Sequence, residues 1–327
     1  MAKLRVGIIG TGGIANAHAG GYKGNLDKCE LAAVCDVRED AAKAFAEKHG
    51  FAKVWTDYHA LLDSDTIDCV SVCTPNFLHA PVSIEALQKG KHALCEKPMA
   101  TSVADAERMK AEAEKSGKIL YIGFNHRFIG NFHAGKQQIA KLGKPVAMRV
   151  AVGHGGYAGL QKTWFGQKEK SGGGTLIDNG VHMIDMVRYY FGPIESVQGQ
   201  VSRVLISEGD VEDNGFALFK LANGAIASLQ CSWTWPGGYH LLFEAICENG
   251  TLKLDEGKCV VYDSASNTST EIAVPDMDSW KEETGHYLRA AAGEIPGFVT
   301  PEDGLAAVKA AVGAYESCET GKTVRIG

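Results

Sequence analysis

No stretch of this chain stays apolar for the ~18 residues a membrane-crossing helix needs. Positive charge is not in excess either. Thirty-three Lys and Arg against 39 Asp and Glu leave a net charge of −6, which removes the electrostatic case for nucleic acid or an anionic membrane surface as a partner. A basic region followed by an apolar run is missing near the N-terminus, so the reading expects a soluble, cytoplasmic protein. The nine cysteines are scattered, odd in number and lack any C-x-x-C pair. Cys69, Cys73, Cys95, Cys231 and Cys247 stand in apolar, strand-like runs where a thiol packs as a small hydrophobe. Neither a disulfide framework nor a cysteine-ligated metal is expected. H-E-x-x-H is absent, no metal site is expected, and there are no repeats or low-complexity linkers.

The 327 residues suffice for about two domains with a sizeable core. The opening carries the strongest pattern. Val6 to Ile9 reads as a buried strand that breaks into Gly10-x-Gly12-x-x-Ala15, and a helix-compatible run follows from Ile14 to Ala19. Strand, glycine turn and helix in this order form a dinucleotide-binding fingerprint. Gly10 permits the turn, Gly12 admits a pyrophosphate to the backbone, and Ala15 lets helix and strand approach. Thr11, Gly13 and Ile14 complete the phosphate turn, whose free N–H groups suit an anion. Leu31 to Cys35 reads as the next strand, and Asp36 at its end can accept from the adenosine ribose. Asp36 favours NAD, because a 2′-phosphate would meet its charge, while Arg38 leaves NADP possible.

Strand and helix alternate to about residue 125: strands at 68–73, 92–96 and 119–122, helices at 80–89 and 101–116. This predicts a doubly wound parallel sheet, an α/β Rossmann domain over 1–125. Polar residues gather where its strands end: Asn76, His79, Glu96, Lys97, Asn125 and Arg127. From 126 to 300 short strands follow one another with turns at Asn223-Gly224 and Asn249-Gly250, predicting an α+β domain on an open, mainly antiparallel sheet. Within it Thr175 to Phe191 reads as a helix, and Trp280 to Ala292 as another. Residues 301–327 read as a C-terminal helix and tail, opened by Pro301-Glu302-Asp303.

Three places offer chemistry. Lys97 leaves a strand with Pro98 fixing its exit, and its ammonium could steady an alkoxide. Asp178 and His182 lie four apart on one helix face after the run Gly172-Gly173-Gly174. An imidazole with a pKa near 6.5 suits proton transfer at neutral pH. The same spacing also fits a surface ion pair, and both readings stay open. Trp164, Trp233, Trp235 and Tyr157 present aromatic faces that suit a sugar or cyclitol, or ordinary core packing. Trp233 and Trp235 would share one strand face.

Together, Gly10-x-Gly12-x-x-Ala15, Cys73-Thr74-Pro75-Asn76-x-x-His79, Glu96-Lys97-Pro98, Asp178-x-Gly180-x-His182 with Asp185 and Arg188, and Thr300-Pro301-Glu302-Asp303-Gly304 resemble the Gfo/Idh/MocA family of NAD(P)-dependent oxidoreductases. The resemblance implies that Lys97, Asp178 and His182 are the catalytic lysine, substrate-binding aspartate and acid/base histidine. It also implies that Pro75, Asn76, His79, Glu96 and Lys97 run along the nicotinamide ribose, with Thr74 beside them. Homodimers or homotetramers through the open sheet are implied too. The resulting expectation is hydride transfer between a nicotinamide and a secondary alcohol of a small sugar or polyol. Asn125, Arg127, Lys162 and Trp164 would join Asp178 and His182 around the substrate. Two rivals keep the fold: a non-catalytic NAD(P)-binding sensor, and a glycosidase that uses NAD transiently.

Overall fold

A computed structural model describes residues 3–255 and 257–326. The chain forms two compact units, Met1–Asn125 with Asp278–Leu305 and His126–Met277 with Ala306–Gly327.

In the first unit β1 (Leu4–Ile9) turns into α1 (Gly13–Lys23), then β2 (Cys29–Cys35), α2 (Glu39–His49), β3 (Lys53–Trp55) and α3 (Tyr58–Asp63). There follow β4 (Cys69–Val72), α4 (His79–Gln88), β5 (His92–Cys95), α5 (Val103–Ser116) and β6 (Leu120–Ile122). All six strands are parallel in the order β3-β2-β1-β4-β5-β6. The order reverses between β1 and β4, and ligands of such sheets sit at the carboxyl ends beside that point. Gly10 stands there with φ +90°, and a Cβ on it would lie 2.5 Å from the Cys73 carbonyl oxygen. Only glycine lets the turn after β1 pass so close to the end of β4.

The second unit begins with a turn continuing into α6 (Gly130–Ile139), β7 (Pro145–Gly153), and two single-turn helices, α7 (Tyr157–Leu160) and α8 (Lys168–Ser171). A π-helical turn (Leu176–Gly180) then runs directly into α9 (Val181–Phe191). Strands β8 (Ile194–Ser202), β9 (Asn214–Leu221), β10 (Ile226–Ser232), β11 (His240–Cys247), β12 (Gly250–Asp255), β13 (Lys258–Asp263) and β14 (Thr268–Ile272) follow. After α10 (Ser279–Ala291) and α11 (Pro301–Thr320), β15 (Val324–Arg325) closes the sheet edge on β8. The nine-stranded order is β14-β13-β12-β11-β7-β10-β9-β8-β15. β7 and β10 run parallel and the other pairs antiparallel, so the sheet is mainly antiparallel, as the sequence suggested, with one parallel pair inside it.

One face of this sheet is apolar and covered. Met148, Val150 and Val152 of β7 stand beside Ala227, Leu229 and Cys231 of β10, all buried under the π turn and α9. The opposite face alternates out of the core with a period of two. There Phe216, Leu218, Ile226 and Ile246 are exposed.

Strand β8 stops at Ser202. The Asp213 carboxylate accepts the backbone N–H groups of Val204, Leu205 and Ile206 and turns the chain away. β10 likewise ends at Ser232, so Trp233 and Trp235 do not share a strand face. The predicted helix from Thr175 opens as a π turn, a form that concentrates at functional sites.

Residues 278–305, read from sequence as part of the second domain to residue 300, group instead with the first unit. Their helix α10 lies on α1. Asn25 Nδ2 donates to the Lys281 carbonyl at 2.8 Å, and Tyr287 Oη to the Val70 carbonyl at 3.3 Å. Gly21 permits the contact, since a Cβ there would fall 2.5 Å from the Trp280 carbonyl oxygen. Gly21→Ala is expected to force the two helices apart and cost about 1–3 kcal/mol. An unchanged urea unfolding midpoint would show that the helices do not need this approach.

Candidate functional site

The nucleotide side of the first unit is built around the β1–α1 turn. Helix α1 has Gly12 as its N-cap and no side chain caps it. A Cβ on Gly12 or Gly13 would meet nothing within 4 Å, so both face open space. The first-turn N–H groups and the positive end of the helix dipole therefore suit a pyrophosphate. Ala15 is fully buried, while Thr11 and Ile14 line the turn half-buried.

Asp36 stands at the end of β2. Its Oδ2 accepts from Thr11 N at 3.0 Å and from Thr11 Oγ1 at 2.8 Å, and its Oδ1 accepts from Arg38 N at 3.0 Å. Partial burial opposes the charge, but the hydrogen bonds from Arg38 and Thr11 outweigh it and bring the pKa down to about 2. Arg38 folds back, with Nε 3.3 Å from Asp36 Oδ1. A fixed carboxylate beside the phosphate turn fits the ribose of a dinucleotide.

Two residues expected along the nicotinamide ribose hold the protein instead. His79 is 1% exposed, with Nδ1 2.7 Å from the Pro98 carbonyl oxygen and Nε2 2.9 Å from that of Thr74. The ring thus ties the loop after β4 to the loop after β5. Burial pushes its pKa down, so near neutrality it donates to one carbonyl at a time. Glu96 is buried as well. Its Oε1 lies 2.7 Å from His18 Nε2, and its Oε2 accepts the backbone N–H of Lys97 at 3.1 Å. His18 Nδ1 continues to Ser71 Oγ at 3.1 Å, and Ser71 to Tyr22 Oη at 2.6 Å. Burial works against the Glu96 charge, but His18 and Lys97 hold its pKa below the usual range. The chain Tyr22–Ser71–His18–Glu96 therefore ends on the backbone of Lys97, which is half-buried with its loop held from both sides. Thr74 and Pro75 are half-buried at the end of β4, while Asn76 and Asn125 are buried.

The second unit gathers a separate polar group. Asp178 and His182, on the π turn and α9, are 8% and 7% exposed, which removes the surface ion pair as an account of them. The fully buried Trp233 donates from Nε1 to Asp178 Oδ2 at 3.0 Å. Phe165 meets the Trp233 ring edge-on at 6.5 Å and stacks on Trp164 at 3.8 Å. Lys162 is exposed on the same segment. The His182 ring lies 4.0 Å from that of His126, whose Nε2 is 3.3 Å from Tyr239 Oη. His126 and Tyr239 escaped the sequence reading, because a histidine beside Arg127 and a tyrosine after Pro236-Gly237-Gly238 carry no spacing signal. Among the described residues no cluster of three or more His, Cys, Asp or Glu could hold a metal.

Arg127, expected among substrate hydroxyls, is committed elsewhere. Its Nε and Nη2 donate to Asp185 Oδ2 and Oδ1 at 2.8 and 2.5 Å, with both side chains buried. The guanidinium also lies 4.7 Å from the centre of the Tyr189 ring. Removing one partner of such a pair strands the other charge. Arg127→Met is therefore expected to cost about 3–5 kcal/mol, and a thermal midpoint within a degree of wild type would refute the assignment.

Comparison with known proteins agrees with this architecture. Residues 4–124 match an oxidoreductase family with an NAD-binding Rossmann fold, and residues 135–253 match the C-terminal domain of the same Gfo/Idh/MocA family. The chain is 30% identical to the myo-inositol 2-dehydrogenase of Thermotoga maritima, over 99% of this chain and 98% of that protein. It is 38% identical to the D-glucoside 3-dehydrogenase of Escherichia coli over 70% of each chain. A structure of levoglucosan dehydrogenase in complex with NADH and L-sorbose superposes over the whole of both chains with a TM-score of 0.95 at 22% identity, a likeness of fold. Fold, phosphate turn and whole-length similarity together place the chain in the Gfo/Idh/MocA family of oxidoreductases.

Proposed function

We propose that this oxidoreductase transfers hydride between NAD and a secondary alcohol carbon of a neutral sugar or cyclitol. The observation that carries the reading is the buried Asp178–His182 turn, anchored by Trp233 and flanked by His126 and Tyr239. A carboxylate and imidazoles on a rigid element suit a polyol, which offers several hydroxyls at once. The division of labour is nucleotide binding by the first unit and substrate binding by the second.

When bound, the nicotinamide supplies the hydride acceptor or donor. In the oxidative direction a ring nitrogen of His182 takes the hydroxyl proton as the C–H electron pair leaves with its hydrogen. The Lys97 ammonium stabilises the developing alkoxide, and Asp178 accepts from a neighbouring hydroxyl. Asn125, Lys162 and Trp164 contact the remainder of the sugar. His79 and Glu96 set the loop that presents Lys97. Among the described residues the second unit gathers no dedicated cluster of cations for a phosphate, which favours a neutral substrate.

Asp36 supports NAD over NADP, since its charge is fixed where a 2′-phosphate would lie, and Arg38 is turned onto it. The exposed sheet face with Phe216, Leu218, Ile226 and Ile246 supports a dimer or tetramer, with a second copy of the chain as its cover. No helix among the described residues is long and apolar enough to cross a membrane. Free thiols at all nine cysteines fit a reducing compartment, hence the cytoplasm. The net charge of −6 speaks against nucleic acid as a partner.

The test is a panel of myo-inositol, scyllo-inositol, D-glucose, methyl glucoside and levoglucosan with NAD and NADP in parallel, followed by the absorbance of reduced nicotinamide. Turnover by at least one polyol is expected, and glycoside cleavage without net cofactor reduction would point to the glycosidase rival. Lys97→Met should lower kcat by about 100-fold or more while NAD affinity stays within a factor of about two. Turnover that survives this change within about 10-fold would remove Lys97 from the chemistry. Asp36→Ser should move the NAD to NADP preference toward NADP by about 10-fold, because the repelling carboxylate is gone. An unmoved ratio of kcat/KM values would mean that Asp36 does not choose the cofactor.

A further inference from the structure

We propose that Glu212, together with Tyr315, is a positioning residue for the turn that carries Asp178 and His182. The inference rests on the reading of those two side chains given above. The helix formed by the π turn and α9 starts after three consecutive glycines, and no side chain at Thr175 caps it. Its leading donors are met from 36 residues away in sequence or more. Glu212 Oε2 accepts from Gly174 N at 2.8 Å, and Oε1 accepts from Leu176 N at 2.9 Å. Thr175 N donates to the Glu212 backbone oxygen at 3.3 Å. Three successive N–H groups at the head of the helix thus converge on one residue.

The glycines make this approach possible. A Cβ on Gly174 would lie 1.8 Å from the Glu212 carbonyl oxygen, and one on Gly173 would lie 2.2 Å from Tyr315 Oη. Tyr315, on α11, donates from Oη to Glu212 Oε1 at 2.7 Å and so fixes the carboxylate from behind. Glu212 is 7% exposed and has no cationic partner among its hydrogen bonds. A buried acid at this point meets the unpaired donors and positive dipole end of the helix. A neutral amide would not replace it, because its NH₂ end would face a donor. Asp178 lies two residues beyond Leu176, the last of these donors and the first residue of the π turn. With Trp233 on the carboxylate of Asp178, the turn is held at its head and on its reactive side.

The experiment compares Glu212→Gln and Tyr315→Phe with wild type and with Asp178→Asn. Assays run well below each variant's thermal midpoint, on the fastest substrate of the panel above. We expect kcat to fall about 10-fold or more in Glu212→Gln and about 3-fold in Tyr315→Phe, as a slight misplacement of reacting groups costs rate steeply. The NAD dissociation constant should be unchanged. The isotope effect on kcat with a carbinol-deuterated substrate should rise, because hydride transfer becomes slower than the other steps. Without any cofactor, amide hydrogen exchange over residues 172–182 should quicken in both variants. A lower thermal midpoint with wild-type kcat, isotope effect and exchange would make Glu212 structural only and overturn the proposal. If Glu212→Gln fails to fold, Tyr315→Phe decides by the same measures. Loss of turnover in Asp178→Asn with none in the other two removes this inference alone. Wild-type turnover in Asp178→Asn removes the catalytic reading, and this inference with it.

Discussion

A helix begins with backbone donors that have no partner inside it, and both units are built around what those donors meet. In the first, α1 starts at Gly12 with no side-chain cap and with room for an anion beside Gly12 and Gly13. In the second, the same kind of start is filled by the protein itself. Glu212 takes three N–H groups there, and Gly174 and Gly173 clear the space for it and for Tyr315. The physical requirement is shared, and the outcome differs because one end is left for a diphosphate and the other must hold a turn still. A loosely held first turn would let Asp178 and His182 move with every breath of the helix end.

Buried charge follows the same economy. Glu96 and Asp185 sit almost wholly out of water, and each is met by more than one donor. A lone buried carboxylate would protonate. Glu283 on α10 shows that limit: neither carboxyl oxygen has a hydrogen-bond partner, and burial together with Glu96 pushes its pKa well up. Glu96 is shifted the other way, its charge favoured by His18 and Lys97. The member whose charge is favoured is the one that holds the lysine's backbone, so the contrast between them feeds directly into where Lys97 stands.

The nucleotide side was legible because its signals are local. Gly10, Gly12 and Ala15 lie within one turn, and Asp36 ends the next strand at a set distance. The alternation of strands and helices to residue 125 likewise follows from short-range periodicity, and the helix over 301–320 had a clear start in Pro301-Glu302-Asp303. What the pattern could not carry was partner choice. His79 and Glu96 have the right address for a cofactor, but their side chains turn inward to Thr74, Pro98 and His18. The docking of α10 on α1 depends on Gly21, an ordinary small residue in a small-residue helix until Trp280 arrives beside it. The parallel pairing of β7 with β10 spans too long a connection for turn signals to reveal.

The substrate side was read by spacing and corrected by contact. Asp178 stands on the π turn and His182 on α9, and what makes them more than a surface pair is Trp233, 55 residues beyond Asp178, and Glu212, which lies 36 residues beyond Leu176. Arg127 was read as a hydroxyl ligand because it follows a strand end. The structure gives it Asp185, 58 residues away, as a two-atom partner for its Nε and Nη2. Its neighbour His126, also buried, lies with its ring tilted against that of His182 and is reached by Tyr239. Adjacent residues on a tight turn point in different directions, so one is consumed in holding α9 while the next remains with the imidazole and the phenol. Around Asp178 this unit sets two imidazoles and aromatic side chains, groups that fit the ring of hydroxyls in the proposed substrate.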